Sequence, residues 1–196
     1  MFFFIFVLHM ITTDNIDKLG YIDILKRVLP DKEVIVSSLI QMKNENIREK
    51  TIKSSWCNNY KLVYLTDGFL VYSIIGDYII IYPMEFIINN SGNENIIFVK
   101  RHVIQRYEER FLFQRSNRSI SRFMISFCKS DSKIITREEK RGIFSISIRI
   151  KDGALLGYCY NVDPKIIRIN TFISDKEIEV ANRSDQILLT QIKEMV

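Results

Sequence analysis

The clearest alternation of hydrophobic and polar positions lies in the first half of the chain, where three short runs are rich in β-branched and aromatic residues. Such residues favour strands. The runs are separated by Asp67-Gly68 and Gly76-Asp77, and both dipeptides favour tight hairpin turns. Pro83 follows the third run and is expected to end it, because proline has no N–H for a strand ladder. The pattern predicts an antiparallel meander over Tyr60–Leu65, Phe69–Ile75 and Tyr78–Tyr82.

The residues before the meander have helical character. A cap at Thr13-Asp14 and apolar residues at helical spacing predict a helix to about Val28, which Pro30 ends. Residues 31–54 have a mixed pattern, and we predict that they are mostly helical. The first eleven residues include ten apolar ones. We expect them to form a buried strand or helix rather than a targeting segment, since no basic residue precedes them and no small-residue cleavage site follows.

The second half changes from helical to strand periodicity. Apolar residues at helical spacing predict a helix over 99–111 and a second one over Ser119–Cys128. Turns are expected at Asp152-Gly153 and Asp163-Pro164, and a C-terminal helix begins at a cap formed by Ser184-Asp185. Four strands are predicted: Lys133–Arg137, Ile143–Ile150, Leu155–Tyr160 and Ile166–Ile173.

These elements predict an α+β fold with N-terminal helices, an antiparallel meander, two basic helices and a second antiparallel sheet. The polar turn at 89–93 is the best candidate for a boundary. It predicts a helical segment plus meander over residues 1–95 and an α+β region over residues 96–196, with one fused domain as the alternative.

Composition narrows the class of protein. The chain has 196 residues, of which 47% are hydrophobic and 26% charged, as in a globular rather than a disordered chain. Three separated cysteines and two histidines argue against a disulfide framework, a zinc site and a His-rich metal site. We expect free buried thiols, a reducing cytoplasm and no cofactor. The chain contains no phosphate-binding loop, dinucleotide-binding fingerprint, zinc-protease motif or serine-hydrolase motif.

Charge is unevenly distributed along the chain. Residues 99–151 contain 14 Lys and Arg against 5 Asp and Glu, a net charge of +9, whereas the rest of the chain has a net charge of −4. A basic block of this kind indicates a surface that faces phosphates. An ordinary solvated face and a surface for an acidic protein partner are the alternatives. The basic residues that can line such a surface include Arg115, Arg118, Arg122, Lys129, Lys133, Arg137, Lys140 and Arg141.

His102 and Arg106 form the candidate site. Residues four apart share one face of a helix, and Glu109 joins them at the rim of the apolar arc. Histidine exchanges protons near neutral pH, and an arginine fork binds phosphate and can stabilise a pentacovalent intermediate. Tyr107, Glu109 or a strand residue can supply the second proton-transfer group. The alternative is that His102 hydrogen-bonds a carbonyl while Arg106 and Glu109 form a surface ion pair.

Arg110 falls within the apolar arc of the same helix. A charged group there needs a partner, since an unpaired buried charge is costly. We expect that partner to be an acidic side chain or the backbone of a strand.

Residues 97–174 resemble the compact RNase toxins of the barnase, colicin E5 and RelE type, and most closely their DUF4258-like and BrnT-like relatives. Three segments carry the resemblance: His102–Arg110, Gly153–Gly157 and Ile169–Ser174. The resemblance implies metal-independent RNA cleavage with His102, Arg106 and Thr171 as catalytic residues. A toxin of this type is about half as long, and the first 95 residues lie outside the resemblance.

Three functions are therefore open. The first is a metal-independent endoribonuclease of a toxin or phage-defence system, with RNA as substrate and an antitoxin as a possible protein partner. The second is a non-catalytic nucleic-acid-binding module that uses the same basic surface, and the third is an oligomeric interaction or structural protein. The residues predicted to bind substrate are Arg110, Arg115, Arg118, Arg122, Lys133 and Arg137.

Overall fold

A computed structural model describes residues 16, 18–65, 68–89, 94–112, 119–128, 134–138 and 142–178. The fold is α+β, and the chain divides between Ile96 and Ile97 into two compact units. The apolar run 1–11, the cap at Ser184-Asp185 and the predicted binding residues Arg115, Arg118 and Lys133 lie outside the described residues. Within the described ranges, no helix is long and apolar enough to span a bilayer.

The first unit contains helices and an antiparallel sheet in which consecutive strands are neighbours. Gly76, at φ 56° in the two-residue turn between the last two strands, adopts the left-handed conformation that this hairpin requires. The helices are α1 (Tyr21–Val28), α2 (Lys32–Asn44) and α3 (Met84–Asn89), and the strands are β1 (Glu49–Lys53), β2 (Asn59–Leu65), β3 (Gly68–Ile75) and β4 (Tyr78–Tyr82).

The predicted meander is confirmed as β2, β3 and β4. Pro30 lies in a short 3₁₀ turn, Leu29–Asp31, directly after α1. The mostly helical prediction for residues 31–54 is wrong after Asn44, because Glu49–Lys53 forms β1. β1 forms because it pairs with β2, where Thr51 lies opposite Lys61. Pairing with a separate segment of the chain is not revealed by the local residue pattern.

Most aromatic residues of the meander belong to the hydrophobic core of the first unit. Tyr60, Tyr72, Tyr78 and Tyr82 are buried. The Trp56 indole donates a hydrogen bond to Tyr60 Oη at 2.8 Å. Burial is the first cause of the raised pKa of Tyr72, which reaches about 12. The four buried tyrosine rings stabilise the fold and are not available to stack on a ligand.

The second unit is built on a sheet in which β9 lies between β5 and β8. β6 pairs with β7, β7 with β8 and β8 with β9, and each of these pairs is antiparallel. The helix α4 packs against β9. The strands are β5 (Ile96–Lys100), β6 (Ile134–Glu138), β7 (Ile143–Ile150), β8 (Gly153–Tyr160) and β9 (Asp163–Ser174); the helices are α4 (Arg101–Tyr107), a π-helical turn (Glu108–Leu112) and α5 (Ser119–Cys128).

The helix predicted over 99–111 begins later than expected. Residues 96–100 form β5, α4 begins at Arg101, and the π-helical turn replaces the last predicted helical residues. Short apolar runs do not distinguish helix from strand by periodicity, and β5 is recognised only by its place beside β9. The turn expected at Asp163-Pro164 lies instead at Asn161-Val162, because Tyr160 pairs with Asp163.

The two faces of this sheet have different environments. Ile146, Ile148 and Ile150 of β7 are buried, while Ser145 and Ser147 between them are half-buried. The buried residues share a face with Leu155 and Phe172. The rings of Phe172 and Tyr107 of α4 meet edge-to-face with their centres 5.1 Å apart, so the helices cover this inner face. We call the opposite side, with Ser145 and Ser147, the outer face.

Candidate functional site

His102 lies in the first turn of α4 and is exposed. Its Nε2 atom is 2.5 Å from the backbone oxygen of Asn170 in β9. A carbonyl oxygen only accepts hydrogen bonds, so Nε2 carries a proton and donates it. In the neutral ring, Nδ1 then holds the lone pair. The contact therefore fixes both the orientation and the tautomer of the imidazole.

Arg110 lies two turns beyond His102, within the π-helical turn. Its Nη1 donates to the backbone oxygen of Phe172 at 2.7 Å and lies 3.2 Å from Glu177 Oε1. Arg110 thus has both kinds of partner expected for a charged group in an apolar arc. Glu177 also accepts hydrogen bonds from the backbone N–H and hydroxyl of Ser174 at 2.9 and 3.0 Å. These contacts stabilise the end of β9, and a role for Arg110 in substrate binding stays a prediction.

Together these contacts place α4 along one edge of β9. Carbonyl groups two residues apart on a strand point to the same edge. Asn170 and Phe172 therefore present their oxygens to the same side, where His102 and Arg110 bind them. Arg106 has the intermediate i+4 position between these two side chains and is exposed.

Tyr107 fixes the opposite side of α4. Its hydroxyl donates to Asp152 Oδ2 in the turn between β7 and β8 at 2.7 Å, and its ring packs edge-on against Phe123 and Phe172. Burial, followed by the hydrogen bond to Asp152, raises the Tyr107 pKa well above its ordinary value. Tyr107 is only 2% exposed, so it anchors the helix and does not face a ligand.

Thr171 lies on the other side of β9. It pairs with Leu156, whereas Phe172 pairs with Leu155, and adjacent strand residues point to opposite faces. Phe172 faces α4, so Thr171 belongs to the outer face, where it is half-exposed. Among the contacts of the described residues, none joins Thr171 to His102 or Arg106. The structure brings His102 beside the backbone of residue 170 and places Thr171 in a different environment.

An open groove lies on the outer face over β7, β8 and β9, with a volume of about 390 Å³. The rings of Tyr158 and Tyr160 meet edge-to-face with centres 5.3 Å apart. The Arg168 guanidinium lies 5.3 Å from the Tyr160 ring centre and 5.7 Å from that of Phe98, within cation–π distance of both rings. We call this feature the tyrosine groove; its lining residues are Ile143, Ser145, Leu156, Gly157, Tyr158, Tyr160, Asn170 and Thr171.

The sequence reasoning missed this groove. Its local signal is the Tyr-x-Tyr alternation at 158–160 beside the Ile/Ser alternation at 143–150, which places hydroxyl groups on one face of two adjacent strands. Asn170 contributes through an irregularity in the register of β9, where Leu156 pairs with Thr171 but Gly157 pairs with Ile169. Such a bulge re-aims side chains near functional sites, and it arises only when the two strands pair.

The remaining predicted cations have separate positions. Arg122 is exposed on α5, and Arg137 lies in β6 at the register position opposite Ser145. Cys57 and Cys159 are free and buried. Within the ranges that the structure describes, no cluster of three His, Cys, Asp or Glu side chains could hold a metal ion.

Comparison with known proteins identified no relative of this chain. The resemblance to RNase toxins therefore depends on the short segments in the sequence alone and stays a prediction. No protein-family model, no curated protein and no solved structure matches this chain.

Proposed function

We propose that the second unit binds RNA and cleaves it without a metal ion, with His102 as a proton-transfer group and Arg106 as the phosphate-binding cation. The observation that carries the proposal is the exposed imidazole of His102, which the Asn170 carbonyl holds in one tautomer. A general base must be both accessible and oriented, and His102 satisfies both conditions. The exposed guanidinium one turn later lies in a chain segment with strong positive charge.

The reaction that suits these groups is an internal transfer of the phosphodiester. Nδ1 of His102 takes the proton of a ribose 2′-hydroxyl, and the 2′-oxygen forms a bond to phosphorus. Arg106 stabilises the negative charge of the pentacovalent intermediate. The bond from phosphorus to the 5′-oxygen then breaks, and that oxygen takes a proton, giving a cyclic phosphate and a 5′-hydroxyl. Water at this exposed site is the donor of this proton.

A non-catalytic RNA-binding module is the second candidate. The placement of the other proton-transfer groups favours it: Thr171 lies on the outer face, and the hydroxyl of Tyr107 is buried and bound to Asp152. In this case His102 stabilises the edge of β9, and the basic residues bind phosphates without chemistry.

Replacement of His102 by glutamine is expected to reduce RNA cleavage by about 100-fold or more, because the general base is lost. The glutamine amide can still donate a hydrogen bond to the Asn170 carbonyl, so the variant separates chemistry from packing. The measurement is cleavage of total RNA and of a short single-stranded RNA in EDTA by wild type, His102→Gln and His102→Ala. Matched melting temperatures of wild type and His102→Gln are the control.

Cleavage at the wild-type rate by His102→Gln contradicts the assigned role of His102. Salt-dependent RNA binding without cleavage by any form supports the second candidate. In that case log Kd against log salt has a slope of about 0.7 for each phosphate contact to a single strand, and Arg106→Ala lowers the slope by about that amount. A protein that neither cleaves nor binds RNA excludes both functions.

A further inference from the structure

We infer that the tyrosine groove is a nucleobase-binding subsite, in which one base of a single-stranded RNA stacks on Tyr160 while a flanking phosphate contacts Arg168. The inference rests on the proposed RNA binding and specifies where the RNA strand runs. It assigns the bound base to the outer face of the sheet, which is distinct from the α4 side that carries His102 and Arg106.

The arrangement of the aromatic rings suits stacking. Tyr160 is 38% exposed, and Arg168 lies over its ring at 5.3 Å. Tyr158 meets it edge-to-face, so neighbours on two sides limit the motion of the Tyr160 ring. Stacking of a base on an exposed aromatic ring tolerates any sequence and contributes strongly to single-strand binding.

The register of the sheet places a cation beside the aromatic rings. Ser145 pairs with Tyr158, and Tyr158 pairs with Arg168, so these three residues form one row across β7, β8 and β9. The Arg168 guanidinium lies at the β9 end of this row, 5.3 Å from the Tyr160 ring centre. An anionic strand that carries a base suits an exposed aromatic ring beside a cation better than an apolar peptide does.

The walls of the groove carry groups that can bind the edge of a base or a ribose hydroxyl. Ser145, Asn170 and Thr171 line it. A volume of about 390 Å³ lies within the range of small-ligand sites.

Asn170 also connects the two faces. Its side chain lines the groove, and its backbone oxygen holds the His102 ring. A base bound in the groove therefore places its strand at the same bulge of β9 that orients the imidazole. This geometry assigns the groove to recognition of a base next to the phosphate that the α4 side receives.

The test measures binding by the full-length chain in the His102→Gln background, so that RNA stays intact. The probes are a fluorescent single-stranded RNA of about nine nucleotides and an abasic strand with the same number of phosphates. We expect the RNA to bind about tenfold more tightly than the abasic strand. Tyr160→Leu should remove most of this difference, while Tyr160→Phe, which keeps the ring, should retain it. Arg106→Ala should weaken binding of both strands equally.

Three results overturn the inference in distinguishable ways. Equal affinity for both strands, unchanged by Tyr160→Leu but reduced by Arg106→Ala, excludes the base subsite while RNA binding stands. An equal loss of affinity in Tyr160→Leu and Tyr160→Phe assigns the effect to the hydroxyl and excludes stacking. Failure of both strands to bind the wild-type chain excludes the proposed function together with the subsite. Circular dichroism confirms that each variant is folded.

Discussion

Replacement of Gly153 by alanine is expected to destabilise the second unit by roughly 3 kcal/mol or more. A Cβ atom at this position would lie 2.1 Å from the backbone oxygen of Ile173 and 2.8 Å from the ring of Phe172. A backbone oxygen in a paired strand cannot move away as a flexible side chain can. The clash would therefore separate β8 from β9, and β9 carries the Asn170 carbonyl that orients His102. Urea unfolding followed by circular dichroism measures the loss.

Gly68→Ala is the matched control for this prediction. Gly68 has φ 159° and Gly153 has φ 157°, so the backbone penalty of alanine is common to both positions. A Cβ atom on Gly68 would meet no atom within 4 Å. We expect Gly68→Ala to cost only this backbone penalty, about 1–3 kcal/mol, and therefore less than Gly153→Ala. Similar losses in the two variants would show that backbone conformation, rather than the close approach of Ile173, requires glycine at position 153.

Replacement of Phe172 by alanine is expected to cost about 3–5 kcal/mol, the range for removal of a buried aromatic side chain. Phe172 is 0% exposed, and its ring packs against Tyr107 of α4. The cavity would loosen α4 from the sheet and, with it, the position of His102 relative to β9. The expected result is a lower free energy of unfolding together with lower activity or RNA affinity at temperatures where the variant is folded.

Thr171→Ala is the neighbouring control for stability. Thr171 is half-exposed on the outer face, so its truncation leaves the inner core intact and should cost about 1 kcal/mol or less. An equally small loss in Phe172→Ala would mean that α4 is held chiefly by its polar contacts to Asn170, Phe172 and Asp152. Tyr107→Phe, which removes only the hydrogen bond to Asp152, then measures one of those contacts directly.

Elements with strong local signals were predictable from the sequence. The helix Ser119–Cys128 and the strand Ile143–Ile150 have the predicted bounds, because each carries a periodicity of one kind and ends at turn-forming residues. The pairing of Arg110 was also predictable, because a charged residue in an apolar arc needs a partner. Elements whose form depends on a distant partner were missed, as β1 and β5 show. Each is a five-residue strand too short for its pattern to exclude a helix.

The candidate site was likewise predictable only in part. The i+4 spacing of His102, Arg106 and Arg110 follows from the sequence, because helix geometry brings such residues to one side. The partner of His102 is 68 residues away in the chain, and only the pairing of β8 with β9 and the docking of α4 bring it there. Thr171 was placed with His102 by the resemblance, yet the alternation of β9 sets it on the outer face.

By itself the sequence determined the secondary structure with strong periodicity, the concentration of positive charge in residues 99–151 and the helical spacing of the candidate cations. Tertiary structure decided which carbonyl holds the imidazole, which face carries Thr171 and where the tyrosine groove lies. The physical reason is that periodicity is a property of neighbouring residues, whereas strand register and the bulge at Asn170 are set by hydrogen bonds between strands.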